Sequence, residues 1–425
     1  MKVVAIASRV KYLFLALSIV ALLPVCFGQS YAQSPTRSAQ NRPAQGPRKS
    51  PAQLTAEFND LAKRATEARE ADRLDEAIAL YGQALQIRPS WIEGRWSAST
   101  ILYDRDRYAE ARDAFRTLLS ILPQSGPDSA LIAPSMAMLG LCEFQTREYE
   151  RALVELQRAR LLGLSGQQQL ISVVRYHAAI LLTRFEQFEL GFDALREFAR
   201  EGNESPNVIE AFGLNVLRMP FLPLEAPPDK REMIILAGRA AYSMAARRQV
   251  ESRKVFDDLL ARYAETPGVH YAFGVFLLNQ EPDAALEEFR HELKLSPDHV
   301  PSMLQIAFEY IKRSDYAAGL LFAERSVQLA PNMFPARNAL GRILLETGDV
   351  ARAMKELEAG VKLAPESPEM HFALARAYAR AGRKEDAARE RATFTKLDQA
   401  MRAEREGPQS VGGVGAKPTE KSPPK

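Results

Sequence analysis

The chain has 425 residues, 46% of them hydrophobic and 26% charged. These are ordinary globular values, with enough chain for a large core. The formal charge of +3 comes from Lys2, Arg9 and Lys11, because no acid lies among the first 32 residues and bases and acids balance beyond them. A neutral chain lacks the net basic face that nucleic acid demands, which excludes nucleic acid as the main partner.

The N-terminus has the three parts of a secretory signal. A basic start (Lys2, Arg9, Lys11) precedes an apolar run from Tyr12 to Phe27, and Ser30-Tyr31-Ala32 fits a small-x-small cleavage site. The run is shorter than the roughly 20 residues a membrane span needs, so 1–32 is expected to be removed after Ala32, leaving a periplasmic or secreted protein. The alternatives are an uncleaved anchor, or lipidation at Cys26, where Leu23-Pro24-Val25-Cys26 lacks a small residue before the cysteine. Either would be the chain's contact with a membrane. Cleavage would leave Cys142 as the remaining cysteine, without an intramolecular disulfide partner. It sits among Leu139, Leu141 and Phe144 and reads as a buried, inert thiol.

Residues 33–52 are rich in Pro, Ser, Gln, Arg and Gly and read as a disordered linker; 401–425 read as a disordered tail. Between them, helix formers dominate and no run alternates like a strand. An N-terminal array over 53–200 opens with Leu61, Ala65, Ala77, Tyr81, Ala84 and Pro89, with Asp75 placed to cap a second helix. The next copy carries Ser99, Leu102, Ala111, Phe115 and Pro123, and Pro89 to Pro123 is 34 residues. A third has Leu139-Gly140, Ala152, Leu156 and Ala159 with no closing proline, and a fourth, degenerate hairpin covers Val173 to Ala199 without a turn glycine. In 201–232, Val208 to Leu217 reads as helix, but Pro220, Pro223, Pro227 and Pro228 break regular structure beyond it. That stretch is expected to be an irregular insertion that interrupts the stacking between two sub-arrays. The C-terminal array, 233–400, resumes with Ala240, Phe256 and Leu259; then Gly274, Ala285, Phe289 and Pro297 come in turn, with one turn residue missing. About nine helical pairs result.

The pattern is clearest from Val300 to Asp398. Ala307, Gly341 and Ala375 are 34 apart, and so are Pro297, Pro331 and Pro365. In the middle copy Ala336, Ala339, Leu340, Ile343 and Leu344 share one helical face. Gly348 is placed to end that helix left-handed and Asp349 to cap the next, where Ala353, Met354, Leu357 and Val361 form the matching face. Pro365 then stops it. Gly341 and Ala353 are small because two helices cross closely there. Neither helix can bury its stripe alone, so copies stack and share a core. The last second helix, Glu385 to Lys396, is polar and reads as a cap.

Leu340-Gly341-x-x-Leu344, Gly348-Asp349, Ala353-x-x-x-Leu357 and Pro365 closely resemble the tetratricopeptide repeat. The resemblance implies an all-α, right-handed α-solenoid of antiparallel helix pairs, whose first helices line a groove for extended or helical peptides.

The chain has no GxxxxGK[ST], HExxH, Cys pair or GxSxG turn. His177, His270, His291, His299 and His371 are scattered over different modules and read as surface or capping residues, and adjacent acids such as Glu287-Glu288 point to different sides of a helix. No catalytic residue, cofactor or metal is expected. Positions three before, one after and four after each small crossing residue share a second stripe. It carries Trp96, Thr100, Tyr103, Leu141, Phe144, Tyr271, Val275, Leu278, Phe308, Ile311, Asn338, Arg342, Leu345, Phe372 and Arg376. Aromatics and arginines are the residue types that carry binding hot spots. The candidate partner-binding groove is therefore Trp96, Tyr103, Phe144, Tyr271, Phe308, Asn338, Arg342, Phe372 and Arg376, against ordinary packing of the same aromatics or contact with the chain's own loops. Asn338, Arg342 and Arg376 are similar in part to the family's carboxylate clamp, but the expected lysine is absent, which argues against a C-terminal carboxylate ligand. The favoured reading is an exported, non-enzymatic scaffold that binds a protein or peptide in an envelope assembly or secretion system. A structural or oligomerising module, or an accessory subunit of an envelope polysaccharide enzyme, are the other readings.

Overall fold

The structure, a computed structural model, describes residues 49–406. The expected signal, cleavage site, Cys26 and most of the linker and tail lie outside the described residues. Among the described residues nineteen α-helices succeed one another and there is no strand. The N-terminal pairs are α1 (Pro51–Glu70) with α2 (Leu74–Ile87), α3 (Ile92–Asp104) with α4 (Tyr108–Ile121), α5 (Ile132–Gln145) with α6 (Tyr149–Leu162), and α7 (Gln168–Arg184) with α8 (Phe188–Arg200). Helix α9 (Pro206–Val216) has no second helix of its own. Five further pairs complete the chain: α10 (Arg231–Ala245) with α11 (Gln249–Tyr263), α12 (Val269–Leu277) with α13 (Pro282–Leu295), α14 (Val300–Lys312) with α15 (Tyr316–Leu329), α16 (Phe334–Glu346) with α17 (Val350–Leu363), and α18 (Pro368–Arg380) with α19 (Lys384–Glu406). Pro89, Pro123, Pro297, Pro331 and Pro365 each stand two residues past a second helix, where proline cannot continue the ladder.

The turn inside most pairs is one device. The second residue past the first helix is left-handed: Asp72, Asp106, Arg147, Glu186, Arg247, Ser314, Gly348 and Gly382 all have positive φ. In most of them the amide after it reaches back five residues, as from Arg107 to the Leu102 carbonyl and from Asp315 to that of Tyr310, both at 2.9 Å. This is the Schellman closure, which satisfies carbonyls the helix end leaves open. The fourth hairpin makes it at Glu186 without glycine. The α12–α13 hairpin, one residue shorter from Gly274 to Ala285 than from Gly341 to Ala353, has no left-handed residue in its turn; the Gln280 and Glu281 amides both return to the Leu277 carbonyl. Asp349 caps α17 by accepting from the Arg352 amide. Asp75 does not cap: it lies inside the first turn of α2 and pairs with Arg105 at 3.1 Å.

The stretch 201–232, expected to be an irregular insertion between two sub-arrays, holds an irregular return but is packed on both sides. One apolar cluster runs from Leu102 to Ile306 through this stretch, taking in Val208, Phe212, Leu217, Leu222 and Ile234. Helix α9 crosses α10 more closely than side chains would allow. A Cβ on Gly213 would overlap the Ile234 carbonyl, and one on Gly238 the Ile209 carbonyl. The proline-rich return holds 3₁₀ turns at Pro223–Glu225 and Pro228–Lys230. Arg184 ties it down through the Pro220 carbonyl at 3.3 Å and Glu225 at 2.6 Å. Prolines break helices, but they do not prevent an extended segment from burying Leu222. Helix α19 also extends to Glu406, past the expected array end at 400; within it Ala387 is buried.

Gly213→Ala should lower unfolding stability by about 2–3 kcal/mol, because backbone must move. Gly341→Ala should cost less, since the Cβ would meet only the Leu357 side chain, at 2.5 Å. Urea denaturation of both variants checks the order. In the same assay Ser314→Gly should leave stability unchanged or higher and Gly348→Ala should lower it by about 1 kcal/mol, because a left-handed Cβ is strained.

Candidate functional site

First helices touch one another across repeats, α3 to α5, α5 to α7, α14 to α16 and α16 to α18. Second-stripe residues within each of these two runs therefore sit on neighbouring first helices, but they differ in what covers them. At the N-terminal end the aromatics interlock with their own repeats and, for Phe144, with the next one. Trp96 meets Phe115 edge-on with ring centroids 5.7 Å apart, Tyr103 meets Tyr108 at 5.3 Å, and Phe144 lies 4.7 Å from His177 and 5.6 Å from Tyr149. All three are half-buried. Burial, with the nearby Cys142 and Asp104 adding to it, pushes the Tyr103 hydroxyl up to about 12. The Cys142 thiol, fully buried, is pushed up to about 12 by desolvation first and Glu143 second, as an inert thiol requires.

Tyr271 is not open. It is 6% exposed, with the Arg218 guanidinium 5.1 Å from its ring centroid and His299 at 5.0 Å. Arg218 comes after α9, holds a left-handed φ of 52° and pairs with Glu189 at 2.9 Å. Contact with the chain's own loop is what Tyr271 makes. Burial, then the Arg218 charge, lowers the neighbouring His299 to about 4, so that ring is neutral at ordinary pH.

The C-terminal end is different. Phe308, Arg342 and Arg376 hold the same register on α14, α16 and α18. Phe308 is half-buried against the apolar cluster of residues 304–387. Asn338, one turn before Arg342, is buried, and its Oδ1 has no hydrogen-bond partner among the described residues. Buried polar atoms are nearly always paired, so an orphan needs an explanation. Arg342 is half-buried and makes no hydrogen bond or ion pair among the described residues. Desolvation first, then the Arg376 charge, pulls its guanidinium below the usual range, although it stays cationic. Arg376 is held by Glu346, which also takes Arg380 at 3.1 Å. Phe372 is 48% exposed, with Phe394 of α19 at 5.3 Å between ring centroids. A guanidinium without an ion pair and two partly accessible aromatic rings on neighbouring first helices can take a carboxylate and apolar side chains.

Sequence patterning misses some contributors. Glu292, fully buried, accepts from the Gly268 amide at 2.9 Å and the Tyr271 amide at 3.2 Å, capping α12 across the hairpin. A signal for it exists, because Glu292 stands three residues after the core Phe289 and so shares its face. Arg218 and Glu346 carry no such signal.

These elements define an α-solenoid of stacked helix pairs. Two stretches of the chain, residues 62–130 and 310–391, match the family model "Tetratricopeptide repeat". Repeats of this kind support a protein-interaction scaffold. Among solved structures, the chain is similar to MamA 41-end from Desulfovibrio magneticus RS-1 at 19% identity, covering 40% of this chain and 98% of that one with a TM-score of 0.37. It is also similar to MamA AMB-1, at 20% identity, 39% and 98% coverage and a TM-score of 0.35. No curated protein matched. Among the described residues, no helix is long and apolar enough to cross a membrane.

Gly341→Leu should harm folding more than Phe308→Ala. Leucine drives into Leu357 at a tight crossing, an overpacking cost of about 1–3 kcal/mol, whereas Phe308 is only half-buried. Urea unfolding curves of the two variants test the ranking; equal loss would make Phe308 a core residue.

Proposed function

We propose that this chain is an exported, non-enzymatic scaffold that holds a peptide segment of a protein partner along its first helices, within an envelope assembly or secretion system. The signal-like pattern of residues 1–32 supports export. The observation that carries the binding reading is Arg342, a half-buried cation with no hydrogen bond or ion pair among the described residues and only the more distant Glu346 charge to offset it, near the unpaired Oδ1 of buried Asn338. A desolvated charge that the fold leaves unpaired is unfavourable until an anion meets it. The partner segment therefore carries an acidic side chain for Arg342, with Arg376 next to it, and apolar side chains for Phe308 and Phe372. The absent clamp lysine favours an internal segment over a free C-terminus. The N-terminal aromatics, interlocked with their own second helices, support the wall and add little contact. Tyr271, under Arg218, is outside the binding surface.

The test is a pull-down from envelope extract with the chain from residue 33, beside a Phe308→Ala/Arg342→Ala variant shown by circular dichroism to be folded. A partner held by the native chain and lost from the variant is expected, with weakening of about 2 kcal/mol or more for a hot-spot pair. A partner retained equally by both would move the binding surface elsewhere.

A further inference from the structure

Among the described residues, His270, Glu288 and His291 bring one ligand atom each to within 4.8 Å of one another. His270 lies in the first turn of α12, and Glu288 and His291 lie three apart on α13, hence on one face. Part of this arrangement is a helix-to-helix latch that recurs along the array. Four residues before Gly341 stands Arg337, paired with Glu356, and four before Ala375 stands His371, whose Nδ1 is 2.6 Å from Glu390 Oε2. His270, four before Gly274, likewise meets Glu288 Oε2 at 2.6 Å through Nδ1.

Two features separate this copy from the others. Arg337 and His371 use another nitrogen to bond a proline carbonyl six residues earlier, Pro331 at 2.7 Å and Pro365 at 2.9 Å. The residue six before His270 is Ala264, and His270 makes no such bond. Three residues past the carboxylate, the other copies have Ala359 and Thr393. Here stands His291, with its ring centroid 5.1 Å from that of His270. A latch has no use for the second imidazole.

We propose that His270, Glu288 and His291 bind a divalent transition-metal ion of the zinc type. Two imidazoles and one carboxylate are donors that suit zinc, and three protein ligands leave a fourth position for solvent. Metal–ligand bonds of roughly 2.0–2.2 Å place tetrahedral ligand atoms about 3.3 Å apart. The ion therefore enters by opening the 2.6 Å His270–Glu288 contact and drawing His291 inward, all by side-chain rotation. His270 and Glu288 are largely shielded, with side chains 11% and 15% exposed, and His291 is not buried, which leaves an entry path. Bound metal would join α12 to α13 at the pair whose turn lacks the left-handed closure.

Purified, untagged protein stripped by chelator is titrated with ZnCl₂ by calorimetry and with Co²⁺ by visible spectroscopy. The expected result is one ion per chain, Co²⁺ bands of a low-coordinate site, and a raised unfolding temperature with Zn²⁺. His291→Ala and Glu288→Gln should each weaken binding about tenfold or more. His291→Ala should keep the native circular dichroism, and His371→Asn should leave Zn²⁺ affinity unchanged. No uptake by the wild type, or wild-type affinity in His291→Ala, overturns the proposal.

Discussion

A helix of 14 residues with one apolar stripe, such as α17, is marginal in water, and stacked pairs share a core that neither member has alone. Each pair therefore depends on its two helices crossing closely enough to exclude water, which needs a small residue at the crossing and a turn that closes without slack. Gly341 against Leu357 meets the first need and left-handed Gly348 the second. The same constraint reaches its limit where α9 and α10 cross, because Gly213 and Gly238 bring backbone against backbone. The cluster from Leu102 to Ile306 is continuous because that crossing leaves no gap.

Much of this was legible in the residues, and what was not has physical causes. The period of 34 marks the well-kept copies, because Gly348, Asp349 and Pro365 each have one strong backbone preference. The fourth hairpin is obscure because its left-handed residue is Glu186, a type with no such preference, held there by the Schellman bonds around it. In 201–232 proline reports where a helix stops, not whether the next segment packs. Gly213 and Gly238 were the better signal, 25 positions apart and outside the repeat register.

The candidate site divides in the same way. Helical spacing puts Trp96, Tyr271, Phe308, Arg342 and Arg376 on the same stripe of their own helices, because register is a property of the helix alone. Exposure is a property of neighbours, and Arg218, 53 positions away in sequence, covers Tyr271. The unsatisfied groups are the more telling feature. Most arginines here are matched to carboxylates within or between repeats, as Arg337 is to Glu356 and Arg313 to Asp283. Against that background Arg342 and the extra imidazole of His291 stand out, because packing alone explains neither.

The measurement that bears most directly on the continuous array is native-state hydrogen exchange followed by mass spectrometry across the whole chain. Amides of α9 and α10 should exchange as slowly as those of α5 and α16, because the closest crossing joins the N-terminal pairs to the C-terminal ones. Fast exchange at α9 and α10, with slow exchange on both sides, would contradict this and divide the chain into two arrays that open independently.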